Sequence, residues 1–177
     1  MKIVITGHTS GLGAILKQRY ETLGHEVRGF SRSNGFDLST PGNRAPALHW
    51  MLQSDIVFNN APGIFQRDLF CELTARARDK RMVIVNIGSM ASRFGPSKSM
   101  MYASDKAALD SAVLSHQALG PRWPAALLIR PSYFTGDRSA LKTTDKVDVE
   151  DVATIIMEAT QAALDDRYRI NDIIIQK

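Results

Sequence analysis

The stretch Ile3-Val4-Ile5-Thr6-Gly7-His8-Thr9-Ser10-Gly11-Leu12-Gly13-Ala14-Ile15-Leu16 decides the fold. Three β-branched residues in a row read as a strand, ended by Thr6-Gly7. Leu12 to Leu23 reads as a helix, because Ile15, Leu16, Tyr20 and Leu23 recur at intervals suited to one face. Gly24 stops it as a C-terminal cap glycine does. Glycines let the turn between strand and helix bend sharply and let its backbone approach a phosphate closely. The helix N-terminus that follows offers unpaired N–H groups and the positive end of its dipole. Gly7, Thr9, Ser10, Gly11, Leu12 and Gly13 are therefore candidates to cradle a diphosphate. Such a turn alone is a weak signal, since many merely connect elements. Its place after an N-terminal strand and before a helix strengthens it. No Gly-Lys-Ser/Thr follows, so it is not a P-loop.

Outward from this turn, short apolar runs alternate with helical stretches. Val27-Arg28-Gly29-Phe30 is a second strand, and a short third is expected to include Phe36-Asp37-Leu38. Ala45 to Gln53 suggests a helix, Ile56-Val57-Phe58 a buried strand, and Asp68 to Lys80 a helix. Met82-Val83-Ile84-Val85 is an unbroken apolar run, as a strand covered on both faces requires. Ser99 to Leu119 is the longest helix candidate, closed by Gly120-Pro121. Ala126-Leu127-Leu128-Ile129 is a strand. Val149 to Leu164 is a helix with Glu150 and Asp151 in its first turn, where acids suit the dipole. Ile170 to Ile175 is a final strand. This alternation predicts an α/β protein, a doubly wound parallel sheet of Rossmann type with helices on both faces. No linker, repeat or low-complexity tract interrupts it, so residues 1–177 read as a single dinucleotide-binding domain.

Composition removes several classes. At 177 residues, with 44% hydrophobic and 23% charged, the chain can bury a core without disulfides or metals. Cys71 is the one cysteine, so no intrachain disulfide forms, and a reducing compartment is the simplest expectation. Met1 and Lys2 run directly into the first strand, without the charged and long apolar regions of a signal peptide, and no apolar run could span a bilayer. A cytoplasmic protein without membrane partners is expected. The net charge is +4, and Arg76, Arg78, Lys80 and Arg81 form the densest basic run. No aromatic residues interleave with it, so it reads as the solvated end of a helix rather than a nucleic-acid patch. His8, His25, His49 and His116 stand far apart and Cys71 has no partner, so no metal site is expected.

The end of the second strand discriminates between dinucleotides. An acid there would bind the ribose 2′-hydroxyl and repel a 2′-phosphate. The sequence is Gly29-Phe30-Ser31-Arg32-Ser33, with no acid, so Ser31 and Arg32 are candidates to bind the 2′-phosphate of NADP(H). The competing reading is an ordinary exposed arginine in a turn. Tyr102-Ala103-Ser104-Asp105-Lys106 carries the chemistry: tyrosine and lysine four apart share one helix face. A free phenol is a poor acid or base at neutral pH, and a nearby ammonium favours its ionised form. The spacing alone is common by chance. It gains weight from its order after the cradle and after Asn86-Ile87-Gly88-Ser89, where Ser89 follows a buried strand at the sheet edge that binds ligands.

These pieces together resemble the short-chain dehydrogenase/reductase family. The matching residues are Thr6-Gly7-xxx-Gly11-x-Gly13, Asp37-Leu38, Asn59-Asn60-Ala61, Ser89, Tyr102-xxx-Lys106 and Pro131, in family order over most of the chain. The resemblance implies seven parallel strands, Tyr102 as general acid/base, Lys106 at the nicotinamide ribose and lowering the tyrosine pKa, and Ser89 on the substrate oxygen. It implies that Asp37 and Leu38 lie near the adenine, Asn60 and Ala61 near the cofactor ribose, and backbone around Pro131 and Phe134 at the carboxamide. It implies a small carbonyl or alcohol substrate and a homodimer or homotetramer. There are departures. Pro62 intrudes before Gly63, and no asparagine lies between Asn60 and Asn86, so the family's frequent catalytic asparagine is absent. Ser132 replaces a common glycine, and Thr135 lies one position early. The chain is also shorter than typical members, notably in the Asn60–Ser89 segment and after Gly136, where members build a substrate lid.

Two functions follow. One is an NADP(H)-dependent oxidoreductase, favoured by Ser89, Tyr102 and Lys106. The other is a non-catalytic NADP(H)-binding regulatory or interaction protein, favoured by the absent asparagine and the short lid. Met90, Phe94, Met100, Met101, Tyr133 and Phe134 are candidates for an apolar substrate pocket, or equally for core or subunit packing.

Overall fold

The structure, a computed structural model, describes residues 1–94, 99–120, 123–135, 146–166 and 170–176. Strands β1 (Lys2–Thr6), β2 (Glu26–Phe30), β3 (Ile56–Asn59), β4 (Val83–Ile87), β5 (Ala125–Pro131) and β6 (Asp172–Ile175) form one sheet in the order β2-β1-β3-β4-β5-β6. Every pairing is parallel. Helices α1 (Gly11–Thr22), α2 (Pro41–Met51), α3 (Phe65–Arg76), the short α4 (Ala91–Phe94), α5 (Met100–Ala118) and α6 (Val149–Leu164) make the connections.

Strand period 2 divides the core in two. Ile3, Ile5, Phe58, Val85, Leu127 and Ile129 point to one face, where Leu16 and Tyr20 of α1 and Ile156 of α6 cover them. Val4, Val57, Ile84 and Leu128 point to the other, under Leu48 and Met51 of α2, Leu69, Phe70 and Leu73 of α3, and Leu109 and Val113 of α5. Buried on both sides, β3, β4 and β5 are apolar throughout except for Asn59, Asn86 and Arg130.

Among the described residues the sheet has six strands, not the seven expected. The expected third strand at Phe36–Leu38 is not formed. After β2 the chain enters a short 3-10 turn at Arg32–Asn34, closed by Gly35 at φ 86°. Asn34 Nδ2 returns to the Gly29 carbonyl at 2.9 Å. Asp37 then starts a tight turn, its Oδ1 accepting from the Ser39 hydroxyl at 2.7 Å and the Ser39 N–H at 3.1 Å. Phe36 packs edge-on against Phe30, ring centroids 4.8 Å apart, and Leu38 is buried. The apolar residues thus serve as a plug beside β2, and β2 remains the sheet edge. Helix starts also differ from expectation: α1 begins at Gly11 and α3 at Phe65. Pro121, expected to close α5, and most of the connection after Gly136 lie outside the described residues.

In such a sheet the chain runs from β1 outward to β2 and then crosses back to β3. The crevice between the carboxyl ends of β1 and β3 is the place where open α/β sheets bind ligands.

Candidate functional site

The two lips of that crevice are locked together by one side chain. Thr6, at the end of β1, is buried; its hydroxyl donates to the Phe58 carbonyl at 3.3 Å and accepts from Asn60 N–H at 2.8 Å and Ala61 N–H at 2.9 Å. Asn60 Nδ2 donates back to the Thr6 carbonyl at 3.0 Å. The cradle then turns through Gly7 at φ 68° into α1. No acid stands in the first turn of α1 and no side chain caps it, which leaves its positive end to an anion. A Cβ on Gly13 would lie 2.3 Å from the Gly7 carbonyl oxygen, so its missing side chain lets α1 pack on the loop.

The crevice opens into a cleft of about 1450 Å³. Pockets for drug-sized ligands span roughly 300–1,000 Å³, so this cleft has room for a ligand larger than those. Gly7, Thr9, Ser10, Gly11 and Leu12 line it from the cradle. Ser31, Arg32, Asp37 and Leu38 line it beyond β2, Asn60 and Ala61 beyond β3, and Ser89 beyond β4. Tyr102 and Lys106 enter from α5, Pro131 and Phe134 from the end of β5. Of the apolar candidates, Met90, Tyr133 and Phe134 line it as well. Met100 and Met101 do not: they are 77% and 70% exposed at the start of α5. The side chain of Phe94 lies outside the described residues.

At one end, the Ser31 hydroxyl is engaged by Ser33 at 2.8 Å and Asn34 at 3.2 Å. The Asp37 carboxyl is held below its ordinary range, first by the two Ser39 donors and further by the Arg32 charge. At the other end, α5 begins with Ser99, whose hydroxyl accepts the Tyr102 N–H at 3.1 Å. This cap fixes the first helical turn, and the four-residue spacing then brings Lys106 Nζ to 5.7 Å from the centre of the Tyr102 ring. The Ser89 hydroxyl accepts from Ala91 N–H at 3.2 Å. Tyr133 and Thr135 are tied to Val147, by Val147 N to Tyr133 O at 3.0 Å and Thr135 N to Val147 O at 2.9 Å. The wall at Phe134 is therefore anchored on both sides of residues 136–145.

Sequence reasoning missed Gln66. It is 1% exposed on the first turn of α3, and its Oε1 accepts from Lys106 Nζ at 2.8 Å. Nothing in the local pattern marks a glutamine as the partner of a lysine forty positions away. A polar side chain at a buried position of an amphipathic helix was the available signal.

No family model and no curated protein sequence matches the chain. Solved structures do. A short-chain dehydrogenase/reductase from Vibrio parahaemolyticus superposes with a TM-score of 0.77 at 21% identity, over 98% of this chain and 98% of its own. The fold here is that of the short-chain dehydrogenase/reductases. A 3-alpha-hydroxysteroid dehydrogenase from Pseudomonas sp. B-0831 complexed with NADH has a TM-score of 0.76 at 19% identity, covering 99% of this chain and 95% of its own. A serine dehydrogenase in its closed form with NADP+ has a TM-score of 0.74 at 18% identity, covering 100% and 95%. This fold thus carries either nicotinamide dinucleotide in those proteins. Among the described residues no cluster of metal-ligating side chains occurs, and no helix is long and apolar enough to cross a membrane.

Proposed function

We propose that this chain is an NADP(H)-dependent oxidoreductase that interconverts a carbonyl and an alcohol, with Tyr102 as general acid/base. The observation that carries the reading is the single cleft that collects Ser89, Tyr102 and Lys106 opposite the phosphate cradle. Bound nicotinamide supplies or accepts the hydride. Tyr102 gives a proton to the carbonyl oxygen in reduction, or takes one from the alcohol in oxidation. Ser89 holds that oxygen by hydrogen bond, and Lys106 orients the nicotinamide ribose while its charge acts on the phenol. Gly7, Thr9, Ser10, Gly11 and Leu12 hold the diphosphate, with Asn60 and Ala61 at the ribose. Asp37 and Leu38 lie by the adenine, and Pro131 and Phe134 by the carboxamide. Arg32 binds the 2′-phosphate, supported by its place on the cleft wall without an acid at the end of β2. The substrate is a small molecule with a reducible carbonyl, and the site lies within one domain.

The test is Tyr102→Phe, assayed with NADPH against small aldehydes, ketones and quinones. The ring still packs, so NADPH fluorescence titration is expected to give an unchanged affinity. Turnover is expected to fall by at least about 10²–10⁴-fold, the usual share of general acid–base catalysis. Lys106→Ala is expected to weaken the cofactor and slow turnover together. Equal rates for wild type and Tyr102→Phe would refute the mechanism. Tight NADPH binding without turnover of any compound would favour the non-catalytic, regulatory reading.

A further inference from the structure

Lys106 is 2% exposed, so its ammonium has left bulk water and depends on the protein for acceptors. Two are in place: Gln66 Oε1 at 2.8 Å and the Ile87 carbonyl, at the end of β4, at 2.6 Å. Gln66 is itself held on every side. Its Nε2 donates to the Asn59 carbonyl at 2.8 Å and to the Ile87 carbonyl at 3.4 Å. Its backbone carbonyl accepts from Asn59 Nδ2 at 2.9 Å, and that nitrogen also donates to Asn86 Oδ1 at 3.0 Å. This settles the orientation of the amide: a flipped Gln66 would set its NH₂ against an ammonium and its oxygen against two carbonyls. The ends of β3 and β4 therefore fix Gln66, and Gln66 fixes the lysine.

We infer that Gln66 is the positioning residue for Lys106, a neutral acceptor that aims the ammonium at the nicotinamide end of the cleft. The inference rests on the function proposed above. The neutrality of the acceptor matters. A carboxylate in its place would pair with the ammonium and cancel much of its field at Tyr102, whereas an amide orients the charge and leaves it whole. The neighbouring ions are already matched elsewhere. On α3 Arg67 pairs with Asp68 at 2.6 Å, and Arg130 of β5 pairs with Asp110 of α5 at 3.1 Å. Arg93 of α4 pairs with Asp172 at 3.5 Å. Asp105, one residue before Lys106, bears on Arg67.

A double-mutant cycle tests this without any turnover. NADPH affinity is measured by fluorescence for wild type, Gln66→Met, Lys106→Met and the double variant. Loss of one hydrogen bond to a charged group corresponds to about tenfold. Gln66→Met is expected to weaken NADPH about tenfold, and the double variant to bind no worse than Lys106→Met. A merely structural glutamine would weaken both backgrounds by the same factor, and that additivity would overturn the inference. So would an unchanged affinity in Gln66→Met. Should Gln66→Met not fold, a crystal structure of the wild type with NADPH decides. Lys106 Nζ is then expected within hydrogen-bond distance of both Gln66 Oε1 and a ribose hydroxyl. A lysine that has left Gln66 to reach the ribose overturns the inference. Failure of wild type to bind NADPH at all would refute the proposed function itself, and is distinguishable from either result.

Discussion

Arg32 and Asp37 are the residues at which the proposed cofactor preference can be tested. Both line the same end of the cleft, and the arginine charge helps to hold the Asp37 carboxyl below its usual range. Under the proposed function the carboxylate would compete with a 2′-phosphate for Arg32. Arg32→Ala is expected to weaken NADPH by about tenfold or more and NADH little, as loss of a charge-assisted contact implies. The effect should shrink at high salt, because Arg32 is exposed. Asp37→Asn is expected to tighten NADPH by a few-fold. Fluorescence titration with both reduced cofactors checks these outcomes, and equal effects on NADPH and NADH would refute the assignment. At this scale the sequence was legible in placement: Tyr102, Lys106, Ser89 and Arg32, singled out for their side-chain chemistry, all reach the cleft. Ser31 reaches it too, and the fold of residues 31–35 adds what the sequence did not show, the contacts of its hydroxyl with Ser33 and Asn34.

Between elements, the contact of β2 with the cradle rests on an absent side chain. A Cβ on Gly29 would fall 2.2–2.4 Å from the imidazole of His8, so ring and backbone share one space. Gly29→Ala is expected to destabilise the fold by about 1–3 kcal/mol, the usual cost of overpacking. Adding His8→Ala should recover part of that loss, and thermal unfolding of the two variants measures it. The same ring gives a pH dependence. Burial, and then the charge of Lys17, push the His8 pKa below its ordinary 6.5. A base with a lowered folded pKa contributes stability that is present above pH 6.5 and lost as pH falls toward the lowered value. Wild type should therefore lose ground to His8→Gln between pH 7.5 and 5.5 in urea unfolding. An unchanged difference would show that His8 titrates as in the unfolded chain. Periodicity found α1, α2, α3, α5 and α6 and the six strands of the sheet, because β1, β3, β4 and β5 are apolar runs between turns, but it missed the four-residue α4. It erred at Phe36–Leu38, since a short apolar run beside an edge strand satisfies burial equally well as a plug.

Across the molecule, buried ions tie what the apolar layers leave apart. Arg130 is fully buried on β5 and reaches Asp110 of α5 at 3.1 Å and Asp172 of β6. Ser92 adds a hydroxyl to Asp110 at 2.7 Å. Asp110→Ala is expected to cost about 3 kcal/mol, the scale of breaking a buried pair, with little change in NADPH affinity. Denaturant unfolding and cofactor titration check the two halves of that expectation. Loss of affinity matching that of Lys106→Ala would place Asp110 in the site. Neither this pair nor Gln66–Lys106 was legible in advance, because both join residues that only the parallel crossovers bring together. The strand order also sets a timetable. β1 is made before β2 and β3, yet it lies between them, and Ile3 pairs with Ile56. Synthesis at about 5–20 residues per second delays that partner by several seconds. Until Asn60 and Ala61 emerge, the Thr6 hydroxyl lacks the two N–H groups it accepts from, so the crevice between β1 and β3 takes shape only after β3 has been made.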